Sequence, residues 1–182
     1  MISDYNHKYE IRLALSNKKL TIERNNPMTL RPISKQNELN RLNKALTELY
    51  HDLCVQIGMS DSVFDIFYAI AALGDGCCQR DICDYAFTSK QTIHSAIHKL
   101  VKEGYLCLKP AKGREMQIFL TPAGEQFLQE NVAPVIAMEN EVISQMPQEQ
   151  TDQLLLLTQN YLDRLRSQSK HMLETVFSSS LK

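Results

Sequence analysis

His94 and His98 stand four residues apart, so on a helix their imidazoles share one face, a spacing that can chelate a transition metal. Two ligands are not a site, and no metal is expected. Five cysteines (Cys54, Cys77, Cys78, Cys83 and Cys107) are an odd number without a repeated CxxC spacing, so neither a disulfide framework nor a four-cysteine zinc site is written here. They read as reduced thiols. Arg80 is the one basic residue that the sequence places beside them, which keeps a thiol-based redox sensor as an alternative function. A phosphate-cradling glycine loop, a GxSxG elbow, an HExxH helix and paired carboxylates of telling spacing are all missing from the sequence, so neither catalysis nor a cofactor is expected. What remains is a group of hydrogen-bonding and cationic side chains, Ser89, Lys90, Gln91, Thr92, His94 and Ser95, followed by Lys112 and Arg114. Such residues read base edges or anchor phosphates: Lys90 suits a phosphate or guanine O6/N7, and Gln91 suits adenine.

Elements of regular spacing must hold those side chains in place. Leu39, Leu42, Leu46, Leu49 and Leu53 recur at steps of three and four, which predicts a first helix over residues 34–58 that packs lengthwise on another helix. Beyond Gly58, Ser60 or Asp61 can cap a second helix. Its apolar residues, from Val63 to Leu73, run nearly all round, so it should be buried. A Gly-Asp-Gly turn leads to a short helix over about 79–85 with Ile82 and Cys83 inward. Thr88-Ser-Lys-Gln91 has the form of a capping box that starts the next helix. In that helix Ile93, Ala96, Ile97, Leu100 and Val101 form one inward stripe, leaving Lys90, Gln91, His94, Ser95 and His98 outside, and Gly104 suits its C-terminal cap. Two strand-like runs, 105–109 and 117–120, flank Pro-Ala-Lys-Gly-Arg-Glu and predict a hairpin with a basic tip. Thr121-Pro opens another helix, which Pro134 should kink or split, and a last helix is expected over 148–167 before a frayed tail at 168–182. Residues 1–33 lack a sustained period and read as a loosely held extension.

Charge separates along this order. The chain has a net charge of −1, yet residues 79–114 hold seven basic side chains against three acidic ones, a surplus of four, while residues 121–167 hold two against seven, a deficit of five. A basic centre beside an acidic C-terminal third can aim one face at a polyanion. With 43% hydrophobic and 23% charged residues, the composition is that of a water-soluble globular chain rather than a disordered or fibrous one. Its apolar runs are too short to span a membrane, and Asp4, Lys8, Glu10 and Arg12 interrupt the start where a signal peptide needs apolar residues, so a cytoplasmic location is expected.

Two short helices in tight succession, the second with a polar face, followed by a basic hairpin, are the parts of a winged helix-turn-helix. The expected fold is therefore mainly α with a small β-hairpin wing: a winged helix-turn-helix over 60–120, flanked by dimerisation helices at 34–58 and 121–167. At residues 60–124 the sequence resembles the MarR family, through QRDICDYAFTSKQTIHSAIHKLVKEGYL and through IFLTPAGEQFL, whose Leu-Thr-x-x-Gly is the most specific local feature. With the flanking helices the resemblance extends over about 36–167. It implies a homodimer built from the first and last helices that binds a pseudo-palindromic operator on double-stranded DNA and is often released by a small-molecule effector held between the DNA-binding and dimerisation regions; a repressor or an activator is expected, with a repressor favoured. Family wings commonly carry an Asp two residues before the Arg that corresponds to Arg114; here Lys112 stands in its place, which favours phosphate contact over minor-groove insertion. An independent argument for the dimer is that the first and last helices show more apolar surface than one small domain covers. The rival function is a winged module that binds a protein.

Overall fold

A computed structural model describes residues 32–111 and 115–178. The N-terminal extension through residue 31, and the wing-tip candidates Lys112 and Arg114, lie outside the described residues. The chain divides into two compact units, Met1–Leu49 and Tyr50–Lys182. Helix α1, Ser34–Ile57, crosses that division. In the first unit its leucines Leu42, Leu46 and Leu49 are all more than half exposed.

The second unit is built round α2, Asp61–Leu73, whose residues Val63, Phe64, Ile66, Phe67, Ala69 and Ile70 are buried because neighbouring elements pack on most of its circumference. Only its last turn departs from the expected all-round burial: Ala71 and Leu73 are exposed. Helix α3, Gln79–Ala86, and helix α4, Lys90–Lys102, follow. Between α2 and α3, Gly74 and Gly76 take φ of +93° and +90°, a region open to glycine, and this lets the chain turn back beside the hairpin. Strands β1, Leu106–Pro110, and β2, Met116–Leu120, pair antiparallel from Leu106 opposite Leu120 to Pro110 opposite Met116. The turn adds a third short backbone to β2: Gly76 N–H donates to the Ile118 carbonyl and Ile118 N–H to the Cys77 carbonyl, each at 2.9 Å. The wing stem is thus hydrogen-bonded to the segment entering α3.

Phe67, Ile66, Ile82, Ile93, Leu100, Leu106, Ile118 and Val132 are the most deeply buried large side chains, so one apolar core holds α2, α3, α4, the hairpin and the chain beyond it. After β2, Thr121 caps α5, Pro122–Phe127, with its Oγ1 accepting the Gly124 N–H at 3.1 Å. Pro134 splits the helical run as expected. It has no N–H to give the preceding turn, and Leu128–Val132 adopts a π-helical turn before α6, Ala133–Gln145. The last helix, α7, runs from Gln148 to Ser178, well past the expected end at residue 167; the 168–182 segment is helical as far as Ser178. Its polar residues after Ser167 keep a helix-compatible composition without glycine or proline, and no stop signal ends it earlier. Leu154, Leu155, Leu156, Leu157, Leu162 and Leu165 on α7 are exposed.

Candidate nucleic-acid interface

Helix α4 buries Ile93, Ala96, Ile97 and Leu100 and exposes Lys90, Gln91, Thr92, His94, Ser95 and His98. This is the one-sided stripe that the apolar period predicts. Its start differs from expectation by one residue. The cap is Ser89, whose Oγ accepts the Thr92 N–H at 3.1 Å and lies 2.7 Å from Thr92 Oγ1, so the Thr88 capping box is not formed. Thr88 is instead turned toward α2, where its hydroxyl donates to Asp65 Oδ2 at 2.9 Å and approaches the Ala86 carbonyl at 3.2 Å. A buried-side acceptor competes for the hydroxyl, and the serine one residue later takes the capping role. Phe87, the link between α3 and α4, has φ of +51° and a ring that is three-quarters exposed. Burial pushes the Asp65 carboxyl above the usual range, against the opposing effect of the Thr88 hydrogen bond; Asp61 adds to the rise.

Helix α3 holds the start of α4 through Gln79. The Gln79 Nε2 donates to the Lys90 carbonyl at 3.0 Å, and Gln79 Oε1 lies 3.1 Å from His94 Nδ1. His94 in turn meets His98 edge-on, with ring centroids 4.3 Å apart. No periodic or compositional signal marks Gln79, a polar residue at the first position of a short helix, and its part in the site appears only when the two helices are set together. Among the described residues no group of three or more His, Cys, Asp or Glu is placed to hold a metal.

The N-terminus of α3 is closed by Asp81, whose carboxylate accepts the Cys78 N–H at 2.9 Å; hydrogen bonds from the Cys78 thiol and backbone hold the Asp81 carboxyl below its ordinary range. Beside it Arg80 Nη2 lies 4.0 Å from Glu115 Oε1 at the edge of the wing, and on the wing stem Lys109 Nζ sits 4.3 Å over the Phe119 ring. Glu115 therefore has a cation from α3 within reach. Lys99 is paired with Glu103 at 3.9 Å. The thiols nearby are poor nucleophiles: burial pushes Cys77 and Cys78 up to about 11, and raises Cys83 as well.

A second polar cluster lies behind the helix pair. The hydroxyls of Tyr50 and Tyr68 donate to the two oxygens of Glu139, at 2.5 and 2.6 Å. Tyr68 also stacks at 6.3 Å on Tyr85 of α3. Among the described residues no single helix is long and apolar enough to cross a membrane.

Residues 57–115 match the family model of the MarR family. No protein of curated function matches the sequence. Among solved structures the chain is similar to a MarR family regulator from Neisseria meningitidis, with 14% identity and a TM-score of 0.68 over 76% of this chain and 99% of that one. It is also similar to MepR of S. aureus in its DNA-binding conformation, with 16% identity and a TM-score of 0.60 over 72% of this chain and 98% of that one. A third is BpsR of Bordetella bronchiseptica, whose DNA binding is regulated by 6-hydroxynicotinic acid, with 15% identity and a TM-score of 0.54 over 68% of this chain and 98% of that one. Residues 57–115 are thus similar to the MarR family, and the chain has the fold of that family's solved regulators.

Proposed function

We propose that this chain is a sequence-specific, DNA-binding transcriptional regulator and not an enzyme. It acts in the cytoplasm as a homodimeric repressor on a pseudo-palindromic operator and is released by a small-molecule effector. The observation that carries the reading is the one-sided α4: Lys90, Gln91, Thr92, His94 and Ser95 stand exposed on a helix whose opposite stripe is locked into the core. A helix so presented fits the major groove, where its first turns meet base edges, while Ser89 at the cap and Lys112 and Arg114 in the wing contact the flanking backbone. The likeness to MepR in its DNA-binding conformation supports DNA binding, and the regulation of BpsR's DNA binding by 6-hydroxynicotinic acid supports control by a small-molecule effector.

The dimer reading rests on the exposed leucines of α7 and, separately, on those of the N-terminal half of α1, more apolar surface than a soluble monomer ordinarily leaves in water. Two copies related by a twofold axis would set their α4 helices about one DNA turn apart, on half-sites roughly 10 bp apart. The test is binding to random duplex across a salt series, followed by selection of bound sequences from a random pool. Affinity should fall steeply with salt, in proportion to the phosphates neutralised, and the selected sites should be twofold symmetric. Absence of retention of any duplex at low ionic strength would end the reading. Lys90→Ala and Arg114→Ala should each weaken binding without loss of folding, with the salt slope reduced by about one for each phosphate contact removed.

A further inference from the structure

Gln79 is bonded on both sides of its amide, and the two partners together fix a proton on His94. The Lys90 carbonyl can only accept, so the Gln79 group that faces it at 3.0 Å must be the amide NH2. The amide oxygen then faces His94 Nδ1 at 3.1 Å and can only accept, so Nδ1 must carry the hydrogen. In a neutral imidazole that leaves Nε2 with its lone pair. His94 lies on the exposed stripe of α4, and its ring is further held by the edge-on contact with His98.

We infer that Gln79, a residue of α3, is a positioning residue that makes His94 present a hydrogen-bond acceptor to the duplex, so that His94 selects a base with an exocyclic amine in the major groove. The inference rests on the proposed DNA-binding reading and deepens it. Of the groups that line that groove, adenine N6 and cytosine N4 are donors, whereas guanine O6 and N7 and thymine O4 are acceptors. A lone pair at His94 Nε2 is complementary to the first two and repelled by the others. Lys90 and Lys99, being donors only, suit the opposite set or phosphates, and among the described residues no other acceptor on this face is oriented by a side chain of another helix. The same Gln79 bond to the Lys90 carbonyl ties the first turn of α4 to α3, so one side chain both anchors the reading helix and sets what one of its members offers.

The test uses the full chain and two variants, Gln79→Met, which keeps the side chain's length but neither of its hydrogen bonds, and His94→Ala. Nitrogen-15 NMR of the wild type above the histidine titration range should show His94 as the Nδ1–H tautomer, and Gln79→Met should shift it toward Nε2–H. In pools of selected duplexes the wild type should prefer adenine or cytosine at one position of each half-site, and both variants should lose that preference. On a single duplex, removal of the exocyclic amine at that position should weaken the wild type about fivefold and leave His94→Ala unaffected, the effect of one neutral hydrogen bond. A wild-type Nε2–H tautomer, a tautomer indifferent to Gln79→Met, or a base preference that survives in both variants overturns the inference while DNA binding itself stands. Failure of the wild type to select any duplex removes the underlying reading instead, and the inference with it.

Discussion

The hydroxyl of Tyr68 on α2 donates to Glu139 on α6 at 2.6 Å, and so joins the core of the helix-turn-helix to the helix beyond the wing. Tyr50, near the end of α1, donates to the other oxygen of the same carboxylate. The hydrogen bond to Glu139 is the main reason that the Tyr50 phenol is pushed up to about 12; Tyr68 is raised further, mainly by burial and then by its own bond to that carboxylate. Both phenols have folded values above their ordinary value of 10.0, so the protonated form is the one that the fold favours. Their contribution is therefore fully present below pH 10 and is lost as the pH rises, for Tyr50 between 10 and about 12. Glu139→Gln should bring the Tyr50 phenol back toward its ordinary value in a spectrophotometric titration and should lower stability by about 1–3 kcal/mol, as expected for two part-buried bonds to a charged acceptor. A double-mutant cycle with Tyr68→Phe that shows no coupling in chemical denaturation would remove this bond from the account.

Gly124 has a stricter requirement than any turn glycine among the described residues. A Cβ at that position would lie 2.0 Å from the Tyr105 carbonyl oxygen, a clash with backbone that no rotamer relieves. Gly124→Ala should therefore destabilise the fold by roughly 2–4 kcal/mol, the range of severe overpacking, measured by urea denaturation. Thr121 closes the same corner: its Oγ1 accepts the Gly124 N–H and donates to the Gly104 carbonyl at 2.6 Å. Thr121→Val, which keeps the shape and loses both bonds, should lower stability by about 1–2 kcal/mol.

That corner is also where the sequence is most readable, because Leu-Thr-x-x-Gly combines a cap, a helix-starting proline and a glycine with no alternative. Apolar periods revealed α2 and α4 for the same reason: each stripe is the one that the core takes up. The expectation fails where two local solutions have equal propensity. Thr88 and Ser89 are both cap formers by type, and Asp65, 23 residues earlier, takes the Thr88 hydroxyl and leaves the cap to the serine. The end of α7 was unreadable because nothing after Ser167 either stops or demands a helix. Gln79 could not be assigned to the site at all, since its two partners lie on another helix.

The shifted cap separates two neighbouring substitutions. Ser89→Ala removes the acceptor of the Thr92 N–H and should lower stability by about 1 kcal/mol. Thr88→Val leaves that cap intact and withdraws the hydrogen bond that supports the Asp65 carboxylate, so its effect should grow with pH. The direction follows from Asp65, whose folded value is raised by burial: stability linked to it is fully present below its ordinary 3.8 and is lost as the pH rises through the folded value. Asp65→Asn, which keeps an acceptor for Thr88 without the charge, should accordingly melt above the wild type at pH 7 and converge with it in acid. Thermal melts at both pH values decide the matter, and a lower melting temperature for Asp65→Asn at pH 7 would contradict it.

The cysteines bear on whether oxidants control this protein. Burial raises Cys54, Cys77 and Cys78 to about 11, with carboxylates such as Asp61 beside Cys54 and Asp81 beside Cys77 adding to the rise. At pH 7 such a thiol is a thiolate about one part in ten thousand, and the thiolate is the form that peroxide attacks. Arg80 does not reverse this at Cys78, because Asp81 and Glu115 hydrogen-bond to the same thiol. Mass spectrometry after brief iodoacetamide treatment of the folded protein should therefore find these three residues unmodified, and stoichiometric peroxide should leave duplex affinity within twofold of the untreated protein, roughly the limit of a titration. Rapid modification of Cys77 or Cys78 in folded protein, accompanied by loss of DNA binding, would instead establish the thiol sensor. The opening of the α3 end that such reactivity requires would have to break the Cys78 N–H bond to Asp81.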